Sequence, residues 1–320
     1  MTTANILSQL GSAGVSTGFK NRLINGQFQI AQRGTSGSSS SSGLPTIATY
    51  PSVDRWFAYS SGAAVTVAQV AGSGNIKNLV QATGVGSVTA VGIGQRIESS
   101  NCYDLAGQTV TLSAQIANSL LTTVTWTAYY AATTDTWTAA ATTITSGTFT
   151  VTSTLTQYSA SFAVPSAATT GLQIVFSVGA QTSGTFQIGN AQLEVGTTAT
   201  NFEYRSYGTE LALCQRYCFV PNMTNSYYIG GCNGANSALA TIPFPVQMRA
   251  APTGTFSGAF GGDNFSVAQS FTAGNVSVNA SSVNSARIYF TSGSGSSFSA
   301  AQAFTTDSGS TGTVILSAEL

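Results

Sequence analysis

Histidine is absent from this chain, and charge is scarce: of 320 residues only 6% are charged, ten basic against ten acidic. Ordinary globular proteins carry roughly a quarter. Without histidine no Ser–His or Cys–His pair can activate a hydroxyl or thiol for attack. The commonest metal ligand is missing too, and the carboxylates that could replace it are scattered. Cys102, Cys214, Cys218 and Cys232 fit no zinc ribbon or finger spacing and read as small buried thiols. A net charge of zero leaves no long-range field to gather nucleic acid. No run reaches the roughly 18 apolar residues of a membrane-spanning helix. The opening MTTANILSQLGSAGVSTGF lacks the basic start and compact apolar centre of a secretory signal. The expectation is a chain with no cofactor, no metal, no nucleic-acid partner and no membrane insertion.

Glycan cleavage would need two carboxyl groups flanking the scissile bond. Asp104, Asp135, Asp263 and Asp307 each stand alone in Ser/Thr/Gly-rich surroundings, so the sequence does not read as an enzyme.

What the chain does have is period-two patterning. TVTLSAQIA places Val110, Leu112, Ala114 and Ile116 on one face; GLQIVFSVGA does the same with Leu172, Ile174, Phe176 and Val178; YSASFAV alternates Tyr158, Ala160, Phe162 and Val164 with serines. Such alternation means strands with one dry and one wet face. Gly, Ser and Thr clusters interrupt it at the spacing of a sandwich or barrel. Helical turns are expected only near GTELALCQRY and in ANILSQL. The fold class is therefore all-β: an antiparallel sandwich, then a second, smaller β-domain, preceded by an extended N-terminal arm.

Three regions follow: an arm over 1–22, a sandwich over 23–207, and a C-terminal β-domain over 208–320. The serine run at 38–42 reads as an exposed flexible loop. Pro243 and Pro245 assign their segment to a sheet edge or bulge. In DRW, Asp54 and Arg55 form an adjacent charge pair closing a strand end, and Trp56 shares a core face with Ala58 while Phe57 and Tyr59 point the other way. Glu203, Arg205, Glu210 and Arg216 bunch where two domains would meet, which points to a fixed docking geometry.

In TTVTWTAYYAATTDTWTAA, Trp126 falls on the apolar face with Val124, Ala128 and Tyr130, whereas Tyr129 points away and Trp137 follows in a turn beside Asp135. Tyr129, Asp135 and Trp137 are the candidate glycan platform, because a flat ring matches the apolar face of a pyranose. Tyr227 and Tyr228 are a second candidate. In the arm, Ile6, Leu7, Leu10, Val15 and Phe19 are apolar without partner strands, so they are expected to order against another chain.

NRLINGQFQIAQRG (21–34), YPSVDRWFAY (50–59), FQIGNAQLEVGTTATNFEYRSYGTELALCQRYC (186–218) and SAEL (317–320) resemble tailed-bacteriophage virion structural proteins of the tail-fibre, receptor-binding or head-associated group. The resemblance implies a virion location, other virion proteins as partners, homotrimeric assembly and a role as tail fibre or host-surface contact, with capsid decoration or head fibre as the alternative and host glycan as a further partner. INGQFQ, Trp56 and IGNAQLEVG also resemble the frame of jelly-roll carbohydrate-binding modules, which often hold a structural calcium on acidic residues. Gln27, Gln29 and Asn190 stand at those places here. Calcium favours carboxylate oxygens, so the jelly roll is expected without the metal.

Overall fold

The computed structural model describes residues 18–41, 49–138, 141–224, 227–264, 268–291, 298–306 and 310–320. Ile6, Leu7, Leu10, Val15 and the ANILSQL segment lie outside the described residues.

Two antiparallel sheets build the first part. Their strands are β1 (Ser36–Ser38), β2 (Trp56–Ser61), β3 (Thr66–Ala71), β4 (Asn78–Thr83), β5 (Ala90–Ile97), β6 (Thr109–Asn118), β7 (Thr123–Tyr130), β8 (Thr142–Thr150), β9 (Thr156–Ala163), β10 (Leu172–Val178) and β11 (Thr185–Val195). A six-stranded sheet runs β1-β3-β4-β11-β6-β9, and a five-stranded sheet runs β2-β5-β10-β7-β8. Every pairing within them is antiparallel. The alternation read from the sequence sets which faces meet. Val110, Leu112, Ala114 and Ile116 from one sheet join Trp126, Ile174, Phe176 and Val178 from the other in a single core cluster. Trp56 and Ala58 point into that cluster. This is the jelly-roll sandwich.

A short helix, α1 (Tyr207–Gln215), follows, with Ser206 as its N-cap accepting from the Thr209 amide at 3.4 Å. The remaining strands are β12 (Cys218–Phe219), β13 (Ile229–Gly234), β14 (Ser237–Pro243), β15 (Thr253–Ser257), β16 (Ala259–Asp263), β17 (Ala268–Thr272), β18 (Val276–Ser281), β19 (Ser285–Thr291), β20 (Ala303–Thr306) and β21 (Thr313–Ser317). They form a three-stranded sheet, β12-β21-β15, and a seven-stranded sheet, β17-β16-β20-β13-β14-β19-β18. A second apolar cluster, rich in phenylalanine, lies here: Phe271 and Phe290 stand 5.3 Å apart between ring centroids, and Phe290 and Phe304 5.4 Å.

Two local expectations are corrected. The serine run is not all loop: Ser36–Ser38 is an edge strand on β3, and Ser39 is buried, its amide donating to the Val65 carbonyl at 2.9 Å and its hydroxyl meeting that of Ser60 at 2.8 Å. Serine fits there because it is small and its hydroxyl is satisfied by a neighbouring strand. Residues 42–48 lie outside the described ones. The proline-bearing segment is not an edge either, since β14 sits between β13 and β19. Pro243 is tolerated as the last residue of the strand, where the ladder no longer needs its missing N–H.

Candidate functional site

The scarce charges are concentrated where the two cores adjoin. Block 21–34 runs beside β11 and turns at Asn25, which has φ +58° and is fully buried. Asn25 tolerates that left-handed backbone because its amide side chain satisfies the turn. It donates to the carbonyls of Ile30 (2.8 Å) and Asp54 (3.0 Å) and accepts from the Ile30 amide (3.0 Å). Its own carbonyl accepts from the Trp56 indole at 3.1 Å. The segment that follows the sandwich clamps this block from outside. Glu203 accepts from the amides of Lys20 (2.9 Å) and Asn21 (3.0 Å), and Arg205 pairs with Glu210 at 3.2 Å while donating to the Leu23 carbonyl at 3.2 Å. Glu210 in turn accepts from the Asn25 amide.

Asp54 and Arg55 do not close a strand end as a mutual pair. Both are fully buried, and each is bonded to other partners. Asp54 accepts from the Gln32 amide at 3.0 Å and lies 3.7 Å from Arg33. Arg55, at φ +71°, stacks its guanidinium 3.6 Å above the Tyr217 ring, donates to the Arg96 carbonyl at 2.6 Å, and pairs with Glu319. Glu319 bridges to Arg33 at 3.1 Å. Asp54 and Arg55 lie in the turn that leads into β2, and the left-handed backbone at Arg55 directs the two side chains to different partners.

Glu319 is brought there by β21, whose antiparallel pairing with β12 sets Ser317 opposite Cys218. Beyond the strand, Ala318 donates to the Tyr217 carbonyl at 2.8 Å, and Arg249 donates to the carbonyls of Ala318 (3.0 Å) and Glu319 (3.1 Å). The Leu320 carbonyl accepts from the Tyr50 hydroxyl at 3.2 Å and from Arg96. A second bridge flanks the first: Arg216 grips Glu98 through two bonds, at 3.1 and 2.9 Å, and the Tyr217 hydroxyl donates to the same carboxylate at 2.8 Å. The expectation that Glu203, Arg205, Glu210 and Arg216 fix a geometry at this junction thus has a concrete form. SAEL and the DRW arginine complete it.

Burial pulls the Arg55 guanidinium down, but Glu319, Tyr217 and Tyr50 outweigh it and hold the group firmly protonated. Burial pushes the Asp54 carboxyl up to about 6 against the pull of Arg33 and Gln32. The carboxylates that meet here, Asp54 and Glu319, are enclosed and neutralised by arginine, so no substrate bond can lie between them. Among the described residues no three His, Cys, Asp or Glu side chains gather as metal ligands, and no helix is long and apolar enough to cross a membrane. All four cysteines are buried free thiols, and burial raises the pKa of Cys102, Cys214 and Cys218.

The proposed glycan platform is not assembled as expected. Trp126 is in the core, as the alternation requires. Trp137 is buried as well, 4% exposed, with the Arg96 guanidinium 5.5 Å from its ring. Asp135 uses both carboxylate oxygens on Ser99, accepting from its amide at 2.7 Å and its hydroxyl at 2.9 Å. These two residues fix the turn after β7 and offer no open face to a sugar, because packing around Arg96 covers the ring. Tyr129 does point outward, half-buried, on the outer face of the five-stranded sheet. On that face Tyr59 lies flat across Gly92, where any Cβ would stand 2.2 Å from the ring. Burial and neighbouring Tyr129 push the Tyr59 hydroxyl up to about 12. Tyr59 pairs with Gly92 across β2 and β5, so its ring lies over a sheet position that has no side chain of its own. Tyr227 is largely exposed, while Tyr228 packs on the second core. Phe19 is anchored within the chain, the Arg205 guanidinium 4.6 Å from its ring.

No family model and no curated protein matches the chain. Among solved structures, it resembles the enzymatically active domain of bacteriophage CBA120 tailspike protein 4 at 16% identity and a TM-score of 0.36, covering 55% of this chain and 22% of that one. The chain thus spans about a fifth of the tailspike's length. A structure titled for CBM4 aligns at 14% identity and 0.35, covering 54% of this chain and 98% of that one. TmCBM61 in complex with β-1,4-galactotriose aligns at 14% and 0.34, covering 56% and 100%.

Removing one member of a buried charge network strands the others. Glu319→Ala should lower unfolding free energy by about 3–5 kcal/mol, measured by urea denaturation; a loss below about 1 kcal/mol, the value of an exposed pair, would contradict the joint. The Asp54 carboxyl titrates near 6 when folded, above its ordinary value of 3.8. Between those values the folded state binds a proton that the unfolded state does not, so this group's contribution favours folding as pH falls through the window and opposes it as pH rises. Thermal unfolding of wild type and Asp54→Asn across about pH 7 to 4 should show the difference moving toward wild type by on the order of 2 kcal/mol at most. Parallel pH curves would refute it.

Proposed function

We propose that this chain is a bacteriophage virion structural protein, a tail fibre or host-surface-contacting component, with capsid decoration or head fibre as the second reading. One observation carries the proposal. The four blocks that resemble virion proteins, 21–34, 50–59, 186–218 and 317–320, are distant in sequence, yet they meet in one place. Gln32 bonds to the Cys218 carbonyl at 2.7 Å, Arg33 and Arg55 bind Glu319, and Arg205 and Glu210 hold block 21–34. The shared residues therefore specify a joint between a sandwich and a second β-unit, not a reaction centre. Buried, multiply bonded charges contribute orientation more than net stability. A fixed orientation is what a particle component needs to present a surface to a host.

Low charge supports the same reading, because weak self-repulsion lets copies associate through β-surfaces. In this reading the protein assembles as a closed homotrimer through residues 1–20, as closed symmetry stops low-charge β-surfaces from running on into fibres. Host contact is made through the exposed faces of the sandwich, with the Tyr59–Tyr129 face as a surface for glycan. In this reading the protein acts by binding and assembly, with the buried carboxylate of Glu319 held by Arg33 and Arg55.

The test is location. Gold-labelled antibodies raised against the folded chain should decorate the tail tip or fibres of particles of the phage that encodes it, in electron micrographs. Label confined to the capsid would replace this reading with the decoration alternative, and intact particles without the chain would overturn both.

A further inference from the structure

The outer face of the six-stranded sheet carries a cavity of about 510 Å³. Its floor is Ser113 and Gln115 from β6 and Gln157 from β9, with Asn190 from the β11 bulge; Phe202 and Tyr204 form one wall. The lining contains no charged side chain. Apart from Ile76 and Ala114 it is built of amides, hydroxyls and rings, which leaves hydrogen bonding, stacking and apolar contact rather than recognition by charge.

The floor exists because β11 breaks register between Gly189 and Gln192. Gly189 keeps it low: a Cβ there would stand 2.5 Å from the Leu79 side chain. Asn190 next to it holds a left-handed backbone, φ +44°, a conformation Asn adopts more readily than most residues. Its side-chain Nδ2 reaches the Tyr204 hydroxyl at 3.4 Å, while its Oδ1 is buried without a partner. Buried polar atoms are normally paired, and an orphan lining a cavity marks a place for a ligand's donor.

The wall is fixed before any ligand arrives. Glu194, buried, accepts from the Thr200 amide at 2.8 Å and hydroxyl at 2.6 Å, and Gln192 accepts from the Glu203 amide at 2.9 Å. Phe202 meets Tyr204 edge to face at 5.1 Å. The Tyr204 hydroxyl donates to the Asn75 carbonyl at 3.1 Å, tying the wall to the opposite rim. Tyr204 nevertheless remains 56% exposed. A half-free ring on a pre-ordered wall, above a floor of amides, offers stacking and hydrogen bonds at little ordering cost.

We infer that this cavity is a binding site for a short, neutral segment of glycan. Pyranose rings present an apolar face to Tyr204, and their hydroxyls are both donors and acceptors, as amide side chains require. The cavity volume lies within the range of small-molecule sites. This site is on the opposite sheet from Tyr59 and Tyr129 and does not rest on the virion reading.

Saturation-transfer NMR on the full chain with linear neutral trisaccharides of glucose, galactose, mannose and N-acetylglucosamine tests it. At least one sugar should receive saturation and shift the side-chain amide signals of Asn190, Gln115 and Gln157. Tyr204→Ala should weaken that binding about tenfold, while Tyr204→Phe, which keeps the ring and loses only the hydroxyl's tie to Asn75, should weaken it by less. Gln157→Ala, on an exposed strand, supplies a second variant that leaves the core untouched and should also weaken binding. No saturation transfer to any of the four sugars, binding unchanged in Tyr204→Ala, or shifts confined to amides elsewhere would overturn the inference.

Discussion

The structure turns on one carboxylate. Glu319 sits between Arg33 and Arg55, three charges almost wholly withdrawn from water in a chain that has few. Desolvating such groups is expensive unless geometry and further hydrogen bonds compensate. Here they do. Arg55 has a carbonyl, a carboxylate and the face of Tyr217; Arg33 has Glu319, the hydroxyl of Ser317 and the proximity of Asp54. The cluster forms only when β21 is paired with β12 and the sandwich has placed β2 and block 21–34. It therefore reports on both cores at once and ties them to one relative orientation.

The sandwich was legible from period-two patterning because burial on one face leaves a signature in every second residue. Val110 to Ile116, Leu172 to Val178, Trp56 with Ala58 and Trp126 with Val124 all fall inside the core as read. The joint was only half legible. Clustered charges at 203–216 marked a junction, but nothing local in SAEL says that Glu319 is buried against Arg55, because 264 residues separate the pair. Asp54 and Arg55 were legible as charges worth explaining. Their partners were not, since adjacency in sequence suggests a mutual pair, whereas the left-handed turn at Arg55 directs the two side chains to different partners.

The site residues failed for a related reason. Trp137 and Asp135 read as a platform because a tryptophan in a turn beside an acid has the right composition for one. Composition does not say that Arg96 packs against the ring or that Ser99 occupies the carboxylate. The neutral cavity beside Tyr204 left a fainter trace: Asn190 was noted only because an amide stands where related frames carry an acid. In a molecule that buries many of its few charges, leaving Lys77, Asp104 and Arg287 among the exposed ones, much of the outward surface is left to amides, hydroxyls and tyrosines, which suits recognition of neutral polar ligands.

The central claim is that the buried joint makes two β-cores a single cooperative unit, and calorimetry of the intact chain tests it most directly. The account predicts one heat-absorption peak whose calorimetric and van't Hoff enthalpies agree. Two resolved transitions, or a calorimetric enthalpy well above the van't Hoff value, would mean that the cores unfold separately and that the Arg33–Glu319–Arg55 cluster does not couple them.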